Sequence, residues 1–309
     1  MDQRPTLKQR LPFPYNQDLS HVLRRVDRRT PFYRSRLAND PVTAAYLAAA
    51  MRLIERHLGP EAERQPVDPD DENSVERPLL GFLSQRAVAA EVGHNPDPFP
   101  RVGSVSTLRS TWRSHSDFIA DLLRFGLWSQ YHPARWQSEL AAVAIEQLVA
   151  GAEADFAQSI HELGYSNLMI YLVRPRFRLR LVATAVADGD QVIREALAEF
   201  YEEGLASWRP VFDDVLRNRG LRLRPGIKPE DFLNVLAAVA EGSALHALSA
   251  PTPDVVDHDA QRSLLGTAAL ALVIGCFERA GESDGLSLEQ AAHARVYGSL
   301  RSPISHGRP

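Results

Sequence analysis

The chain has 309 residues, a net charge of −4 and 44% hydrophobic residues. This hydrophobic content can build a large core and excludes an intrinsically disordered chain, and the mildly acidic balance excludes a protein that coats nucleic acid indiscriminately. Cys276 is the only cysteine, so neither an internal disulfide nor a cysteine metal cluster can form within the chain.

The N-terminal end is basic although the whole chain is acidic. The first 60 residues contain eleven Lys/Arg against five Asp/Glu. We expect residues 1–39 to form a polar arm that faces a polyanion, with a solvated tail as the alternative. A short helix is expected over Leu19–Arg29, and Pro31 should end it.

The next helix has clear start signals. Asp40 is a good N-cap and Pro41 suits the first helical position. Val42, Tyr46 and Leu53 then recur at helical spacing up to Gly59. Residues 60–83 are acidic and rich in proline, which predicts a mobile surface loop.

The segment from Ser84 to Leu123 predicts two helices with one unusual outer face. Ser84 is an N-cap candidate, Gly93 ends the first helix, and ten residues with three prolines follow at 94–103. On the second helix Val105, Leu108 and Trp112 form one apolar stripe. The opposite side has only hydroxyls and arginines, at Ser106, Thr107, Ser110 and Arg113, with Arg109 at its margin.

Such a helix is suited to the major groove of DNA, because its apolar back holds it to a domain while small hydroxyls and guanidinium groups reach bases and phosphates. Ser104 to Ser116 contains no acidic residue. The alternative is an ordinary amphipathic helix with a solvated face, although such faces usually mix Glu and Lys.

Beyond Leu123 the apolar residues recur mostly at helical spacing, so we expect an all-α fold. Residues 174–185 alternate like a strand, but we predict a helix there because no partner strand is visible. Gly220 and Gly281 follow basic residues and are predicted to stop helices. The last two long helices are expected at Asp231–Leu248 and Asp259–Arg279.

These segments together resemble the tetracycline-repressor (TetR) family of bacterial regulators. Ser84–Gly93, SQRAVAAEVG, stands where that family has T-x-x-x-I/V-A-x-x-A/V-G. Ser106–Phe118, STLRSTWRSHSDF, is similar to its S-x-x-T-L-Y-x-x-F-x-S-K-x-x-L recognition segment. Phe200–Leu248 resembles part of the family's ligand-binding domain. The likeness spans roughly Pro41 to Ala280.

The resemblance implies three parts of the chain. Residues 1–39 are the basic arm, residues 40–125 are a helix-turn-helix DNA-binding domain with inserted loops at 60–83 and 94–103, and residues 126–309 are a helical effector-binding and dimerisation domain. Arg109 replaces the usual tyrosine and His115 the usual lysine, so both are assigned to phosphate contacts, with His115 weaker and pH-sensitive. The expected DNA-binding residues are Arg28, Arg29, Arg86, Ser104, Ser106, Thr107, Arg109, Ser110, Arg113 and His115.

The resemblance also implies a homodimer and an effector. The dimer would form through the last two long helices and place two recognition helices on a palindromic double-stranded DNA operator. A small apolar effector would enter a cavity among aromatic residues of the middle helices and release the DNA, although a plain aromatic core is the alternative. The expected pocket residues are Trp128, Trp136, Phe156, Tyr165, Met169, Tyr171, Phe177 and Trp208.

Enzyme function is not expected. Gly281–Gly285, GESDG, matches the G-x-S-x-G nucleophile pattern, but no strand is predicted before it and Ser287 with Gln290 looks like a capping box opening another helix. We expect no catalytic residue, metal or cofactor. The longest apolar run, Leu264–Phe277, is too short to span a membrane, and we expect a cytoplasmic protein.

The sequence therefore predicts a homodimeric, ligand-responsive DNA-binding regulator, more specifically a repressor. The alternative is a helical protein-interaction or small-molecule-binding protein that has lost operator binding. A catalytic helical domain is the third hypothesis. The acid-free outer face of the helix after Ser104 favours the DNA-binding regulator. The inserted loops favour the protein that has lost operator binding.

Overall fold

A computed structural model describes residues 5–26, 30–59, 80–131, 146–150 and 155–298. Most of these residues are helical, so the predicted all-α fold is confirmed. The α-helices are α1 (Leu7–Arg10), α2 (Pro31–Ala38), α3 (Pro41–Leu58), α4 (Gln85–Glu91), α5 (Val105–Thr111), α6 (His115–Leu127), α7 (Phe156–Val173), α8 (Pro175–Val186), α9 (Gln191–Arg219), α10 (Pro229–Ser249), α11 (Leu264–Cys276) and α12 (Leu288–Tyr297).

Short elements connect these helices. Single turns of 3-10 helix occupy Gly81–Leu83, Val92–His94, Ser129–Tyr131 and Ala187–Gly189, and Glu146–Ala150 is a π-helical turn. The strands are β1 (Leu221–Leu223), β2 (Val256–Asp257), β3 (Arg262–Ser263) and β4 (Phe277–Arg279). Two antiparallel pairs form, β1 with β4 and β2 with β3.

The predicted helix starts are confirmed where local sequence signals were strong. The Asp40 carboxylate accepts a hydrogen bond from the Val42 N–H (2.8 Å), and Pro41 is the first residue of α3. Ser84 caps α4 as predicted by accepting from a backbone N–H group, and the structure shows that Ser114 caps α6 in the same way. Ser287 and Gln290 form the predicted capping box of α12. These bonds satisfy N–H groups that a helix leaves unpaired at its start.

The chain divides into two compact units. Unit 1 comprises residues 1–136 and 171–203, and unit 2 comprises residues 137–170 and 204–309. The boundaries expected after residues 39 and 125 both fall inside unit 1. The expected loop at 60–83 lies mostly outside the described residues, which resume at residue 80.

Helix α3 is the centre of unit 1. Eleven of its 18 residues are buried, among them Tyr46, Leu47 and Ile54 with no exposed area. It packs against α4, α5, α6 and α8, so the short helices α4 and α5 are supported from one side by a rigid element.

The N-terminal arm is part of this core. Leu19, Val22, Leu23 and Val26 are at most 2% exposed. The predicted helix over Leu19–Arg29 is wrong for its described residues, 19–26, which form turns and irregular backbone.

Pro31 also behaves differently from expectation, because it begins α2 instead of ending a helix. Proline has no N–H and its φ is fixed near the helical value, which suits the first position of a helix. Thr30 completes this start by accepting a hydrogen bond from the Tyr33 N–H.

In unit 2 one helix boundary corrects the sequence prediction. The helix expected over Asp259–Arg279 begins at Leu264 and ends at Cys276. Phe277–Arg279 leaves the helix and pairs with Leu221–Leu223, and Gly281 therefore follows a strand. By contrast, α8 confirms the helix predicted for the strand-like stretch 174–185.

Helices α7 and α11 cross at glycines. A Cβ built on Gly164 would lie 2.6 Å from both the Cα and the N of Gly266. Since two backbones are already in contact there, neither position has room for a side chain.

The helices α10 and α11 have many apolar residues and limited burial. Val235 and Leu245 on α10 and Ile274 on α11 are 47%, 42% and 63% exposed. By length and composition α10 alone among the described helices is apolar enough to cross a membrane, and a third of its apolar window is buried inside the protein. One such helix is weak evidence and does not indicate a membrane protein.

Candidate nucleic-acid interface

The start of α5 is held by a buried tyrosine of α3. The Tyr46 hydroxyl donates to the Ser104 carbonyl and accepts from the Ser104 N–H, both at 2.8 Å. The Ser104 side chain accepts from the Thr107 N–H at 3.1 Å and so caps α5. Its hydroxyl also lies 2.8 Å from that of Ser106 and 2.9 Å from that of Thr107. The position of α5 is therefore fixed from the core.

The back of α5 is apolar as predicted, but the helix is shorter than expected. Leu108 and Trp112 have no exposed area. The helix ends at Thr111, and Trp112 has extended backbone angles (φ −120°, ψ 122°). The expected helical stripe through Trp112 is wrong in this respect, because the indole turns into the core and packs on Phe118 with ring centroids 5.0 Å apart. Arg113 lies in the link to α6 and is exposed.

The outward face of α5 presents Ser106, Arg109 and Ser110, all exposed. Thr107 is half-buried, and its carbonyl accepts from the Ser110 hydroxyl at 2.7 Å. The Arg109 Nε donates to Gln85 Oε1 of α4 at 3.0 Å.

Arg86 on α4 is exposed as well. The structure thus places Arg86 and Arg109 on two contacting helices. Arg113 comes shortly after Arg109 in the sequence, between α5 and α6.

His115 is the first residue of α6 and is half-buried. Desolvation by burial lowers the pKa of its imidazole below the usual 6.5. A neutral imidazole at pH 7 cannot make a charge-assisted hydrogen bond to phosphate. His115 is therefore a weaker phosphate contact than an arginine or lysine at the same place.

Of the expected arm residues, Arg28 and Arg29 lie outside the described residues. The neighbouring backbone is anchored by Asp121, a fully buried carboxylate on α6. It accepts from the N–H groups of Arg24 (2.7 Å) and Arg25 (3.0 Å) and from Trp112 Nε1 (2.9 Å). Desolvation outweighs these hydrogen bonds and raises the pKa of Asp121 to about 6. Sequence reasoning missed this residue.

The inserted segment 94–103 is packed against α3. Phe99 is buried, and the Asn95 amide donates to the carbonyls of Ala45 (3.2 Å) and Pro100 (3.0 Å). Asn95 Oδ1 accepts from Arg52 Nη1 at 2.6 Å. The ten residues therefore form a fixed connection between α4 and α5.

A buried acid at the end of α4 completes this arrangement. Glu91 accepts from Arg52 Nε at 3.0 Å and from Arg56 at 3.3 Å. Burial would raise the pKa of Glu91, but the hydrogen bonds and positive charges of the two arginines outweigh it and lower the pKa. Because this acid is neutralised internally, it adds no exposed negative charge beside α5. The spacing of Arg52 and Arg56, four residues apart on α3, was the available sequence signal.

The aromatic residues predicted to line an effector pocket are divided between the units. Trp128, Tyr171 and Phe177 belong to unit 1, and Tyr171 packs edge-on against Phe177 with ring centroids 5.2 Å apart. Unit 2 contains Phe156, Tyr165, Met169 and Trp208. Trp136 lies outside the described residues. A common cavity for these residues stays a prediction.

Within unit 2 the aromatic residues have separate partners. The Tyr165 hydroxyl is 2.9 Å from His258 Nδ1. The Arg219 guanidinium lies over the Phe156 ring at 5.2 Å. Trp208 packs against the cluster of Phe212, Phe232 and Leu233, a set that includes none of the other predicted pocket residues.

The G-x-S-x-G match lies in a loop between β4 and α12. The Ser283 hydroxyl donates to the buried Glu278 Oε1 at 2.6 Å and also receives the Arg222 Nη2. The Asp284 carboxylate accepts from Arg224 Nη1 at 2.8 Å. These hydrogen bonds hold the loop against the β1–β4 pair. They are typical of a serine with a structural role. Within the described ranges no group of three metal-ligating side chains is found.

Comparison with protein-family models, curated proteins and solved structures finds no match to the chain. The resemblance to the tetracycline-repressor family therefore depends on the residues quoted above and on their order.

Proposed function

We propose that the protein is a homodimeric DNA-binding transcriptional regulator, a repressor, that uses α5 as its recognition helix and acts in the bacterial cytoplasm. The observation that carries the proposal is the division of α5 into two faces. Leu108 is fully buried behind the helix, while Ser106, Arg109 and Ser110 are exposed in front of it. No acidic residue lies between Ser104 and Ser116.

The support for α5 is suited to this role. A recognition helix must hold its side chains in a fixed register, because base contacts depend on geometry. Tyr46 fixes the start of α5, and Asn95 fixes the connection that precedes it. Both side chains are buried. Tyr46 lies on α3, and Asn95 donates a hydrogen bond to the Ala45 carbonyl of α3.

The exposed apolar residues of α10 and α11 support the dimer part of the proposal. An apolar surface that one chain leaves uncovered is suited to a second copy of the same surface. In this proposal the dimer presents two copies of α5 to a palindromic operator, and a small effector releases it.

The test is a selection from a random double-stranded DNA library, followed by fluorescence anisotropy of the selected duplex at several salt concentrations. We expect specific binding with a negative salt slope. Arg109→Ala and Arg113→Ala should each weaken binding by about 1–3 kcal/mol. The matched control is Arg217→Ala, an exposed arginine of α9 paired with Asp214 at 2.8 Å, which should bind as the unchanged protein does.

A folded dimer that enriches no sequence would contradict the proposal. In that case the uncovered apolar surface of α10 and α11 would favour the alternative, a helical protein-interaction or small-molecule-binding protein.

A further inference from the structure

A cavity of about 220 Å³ lies within unit 1, among residues of α3, α6 and α8. None of the aromatic residues predicted from the sequence as pocket residues lines it. Its apolar lining consists of Met51, Ile54, Gly126, Pro175 and Leu179. The other lining residues are polar or charged: Arg174, Arg176, Glu55 and Tyr131. The cavity therefore combines an apolar body with a charged edge.

Arg176 gives this edge its positive charge. Its Nη2 donates to the Leu127 carbonyl at 3.1 Å, and its guanidinium lies 4.5 Å from the centre of the Phe200 ring. Its Nε is buried and has no hydrogen-bond partner. Burial and the nearby Arg180 lower the pKa of Arg176 to about 10, so the guanidinium is still charged at pH 7. A buried charged donor without an acceptor is destabilising, and an anionic acceptor would relieve it.

Arg174 adds a second positive group at the same edge. It directly precedes Pro175, the first residue of α8. The start of a helix also has partial positive charge from its free N–H groups. A planar carboxylate is a good partner for such arginines because it can accept two parallel N–H bonds.

Glu55 restricts the charge of the ligand. Its carboxylate accepts a hydrogen bond from the Tyr131 hydroxyl at 3.2 Å, and both residues line the cavity. A second carboxylate would meet Glu55 and be repelled.

The volume restricts the apolar part. An apolar cavity of about 150 Å³ can hold a benzene molecule. The cavity in unit 1 is larger and has a charged edge, so it can hold one ring or a branched alkyl group together with its carboxylate. We propose that unit 1 binds a small organic monocarboxylate of about the size of benzoate, with the acid group at Arg174 and Arg176 and the apolar body against Met51, Ile54 and Leu179.

The cavity has a direct structural route to α5, and this part rests on the proposed function. Met51, Ile54 and Glu55 lie on α3, the helix whose Tyr46 holds the start of α5 and whose Arg52 holds Glu91 at the end of α4. A ligand that shifts α3 therefore changes the support of both helices of the interface. Binding of the monocarboxylate would change the affinity for DNA.

The first experiment uses isothermal titration calorimetry on the full chain without DNA. The probes are benzoate and cyclohexanecarboxylate, each compared with its uncharged amide of the same shape. We expect each acid to bind at least about tenfold more tightly than its amide, because charge-assisted hydrogen bonds are lost in the amide. If neither acid binds more tightly than its amide, the proposal is wrong.

Three variants locate the site. Arg176→Gln should weaken acid binding by at least about tenfold and amide binding much less, because only the acid loses a charge-assisted hydrogen bond. Gly126→Ala should weaken both, because the new Cβ would lie 2.5 Å from Leu179 Cδ2 and push that flexible side chain into the cavity. The matched control, Arg178→Gln, removes an arginine of α8 that does not line the cavity and should leave binding unchanged.

Circular dichroism and urea unfolding establish that each variant is folded. A folded Arg176→Gln variant that still prefers the acid to the amide would overturn the assignment, and if that variant does not fold, the Gly126→Ala variant and the acid–amide comparison decide. Anisotropy with labelled DNA, with and without benzoate, is a separate measurement. Acid binding without any DNA binding would refute the proposed function and leave the carboxylate site established.

Discussion

Helices α3 and α11 are both apolar, but the protein covers them differently. Eleven of the 18 residues of α3 are buried, whereas α11 has no charged residue and buries only Leu265 and Gly266 among its 13 residues. Unit 1 thus builds a complete core around its central helix. The apolar surface of α11 is only partly covered in a single chain, with Leu264 and Ile274 exposed, which supports a second copy as its partner.

The largest expected effect comes from breaking the core around α3. Trp112→Ala removes a fully buried indole that packs on Phe118 and donates to Asp121. We expect the free energy of unfolding to fall by about 3–5 kcal/mol, measured by urea unfolding. Trp112→Phe keeps a ring but removes the N–H donor and should cost about 1–3 kcal/mol. Equal losses in the two variants would show that the cavity contributes little.

A second effect concerns Asp121, whose pKa is raised by burial from 3.8 to about 6. The folded protein therefore holds this proton more tightly than the unfolded chain. The contribution of Asp121 to the free energy of unfolding should fall as pH rises from about 4 to about 6, by about 3 kcal/mol, and stay constant above. Urea unfolding of the unchanged protein and of Asp121→Asn between these pH values isolates this slope. Parallel pH profiles for the two proteins would contradict the prediction.

A third, smaller effect tests how closely unit 2 is packed where α7 crosses α11. Gly164→Ala would place a Cβ 2.6 Å from the Gly266 backbone, and we expect a loss of about 1–3 kcal/mol in unfolding free energy. Gly204→Ala on α9 is the control, since nothing lies within 4 Å of the new Cβ. It should stabilise the protein by about 0.5–1 kcal/mol. If Gly164→Ala does not lower the unfolding free energy, α7 and α11 can move apart without a loss of stability.

The smallest change in intrinsic stability is expected on the open surface of α11. Ile274→Glu alters a side chain that is 63% exposed, so the unfolding free energy of the monomer should change by no more than about 0.5 kcal/mol. Sedimentation velocity should nevertheless show that the variant shifts from dimer to monomer. Val186→Glu, an exposed aliphatic position on α8 of unit 1, is the control and should keep the dimer. If Ile274→Glu sediments as the unchanged protein does, the second-copy explanation of α11 fails.

Local signals in the sequence predicted the elements that local physics determines. Asp40 with Pro41 and Ser287 with Gln290 predict helix starts because each cap involves neighbouring residues. The burial of Leu108 and the exposure of Ser106 on α5 follow from helical spacing in the same way.

Features that depend on distant residues could not be predicted in this way. Phe277 becomes part of a strand because Leu223, more than 50 residues earlier, offers its backbone as a partner. The end of α5 is set by Trp112, whose indole reaches Asp121 on the next helix. Asn95 holds the connection before α5 through hydrogen bonds with Arg52 and Ala45, which are distant in the sequence and become its neighbours only in the fold. The cavity at Arg176 has no sequence signature, since three separate helices contribute to it.

The segment from Leu19 to Val26 has a practical consequence for shortened forms of the protein. It has no helix or strand, yet its four apolar side chains fill the core and its backbone N–H groups satisfy Asp121. A fragment beginning at Asp40, at the first strong helix signal, would expose apolar core surface and leave a buried carboxylate short of donors. The minimal folding fragment must therefore retain the irregular N-terminal segment.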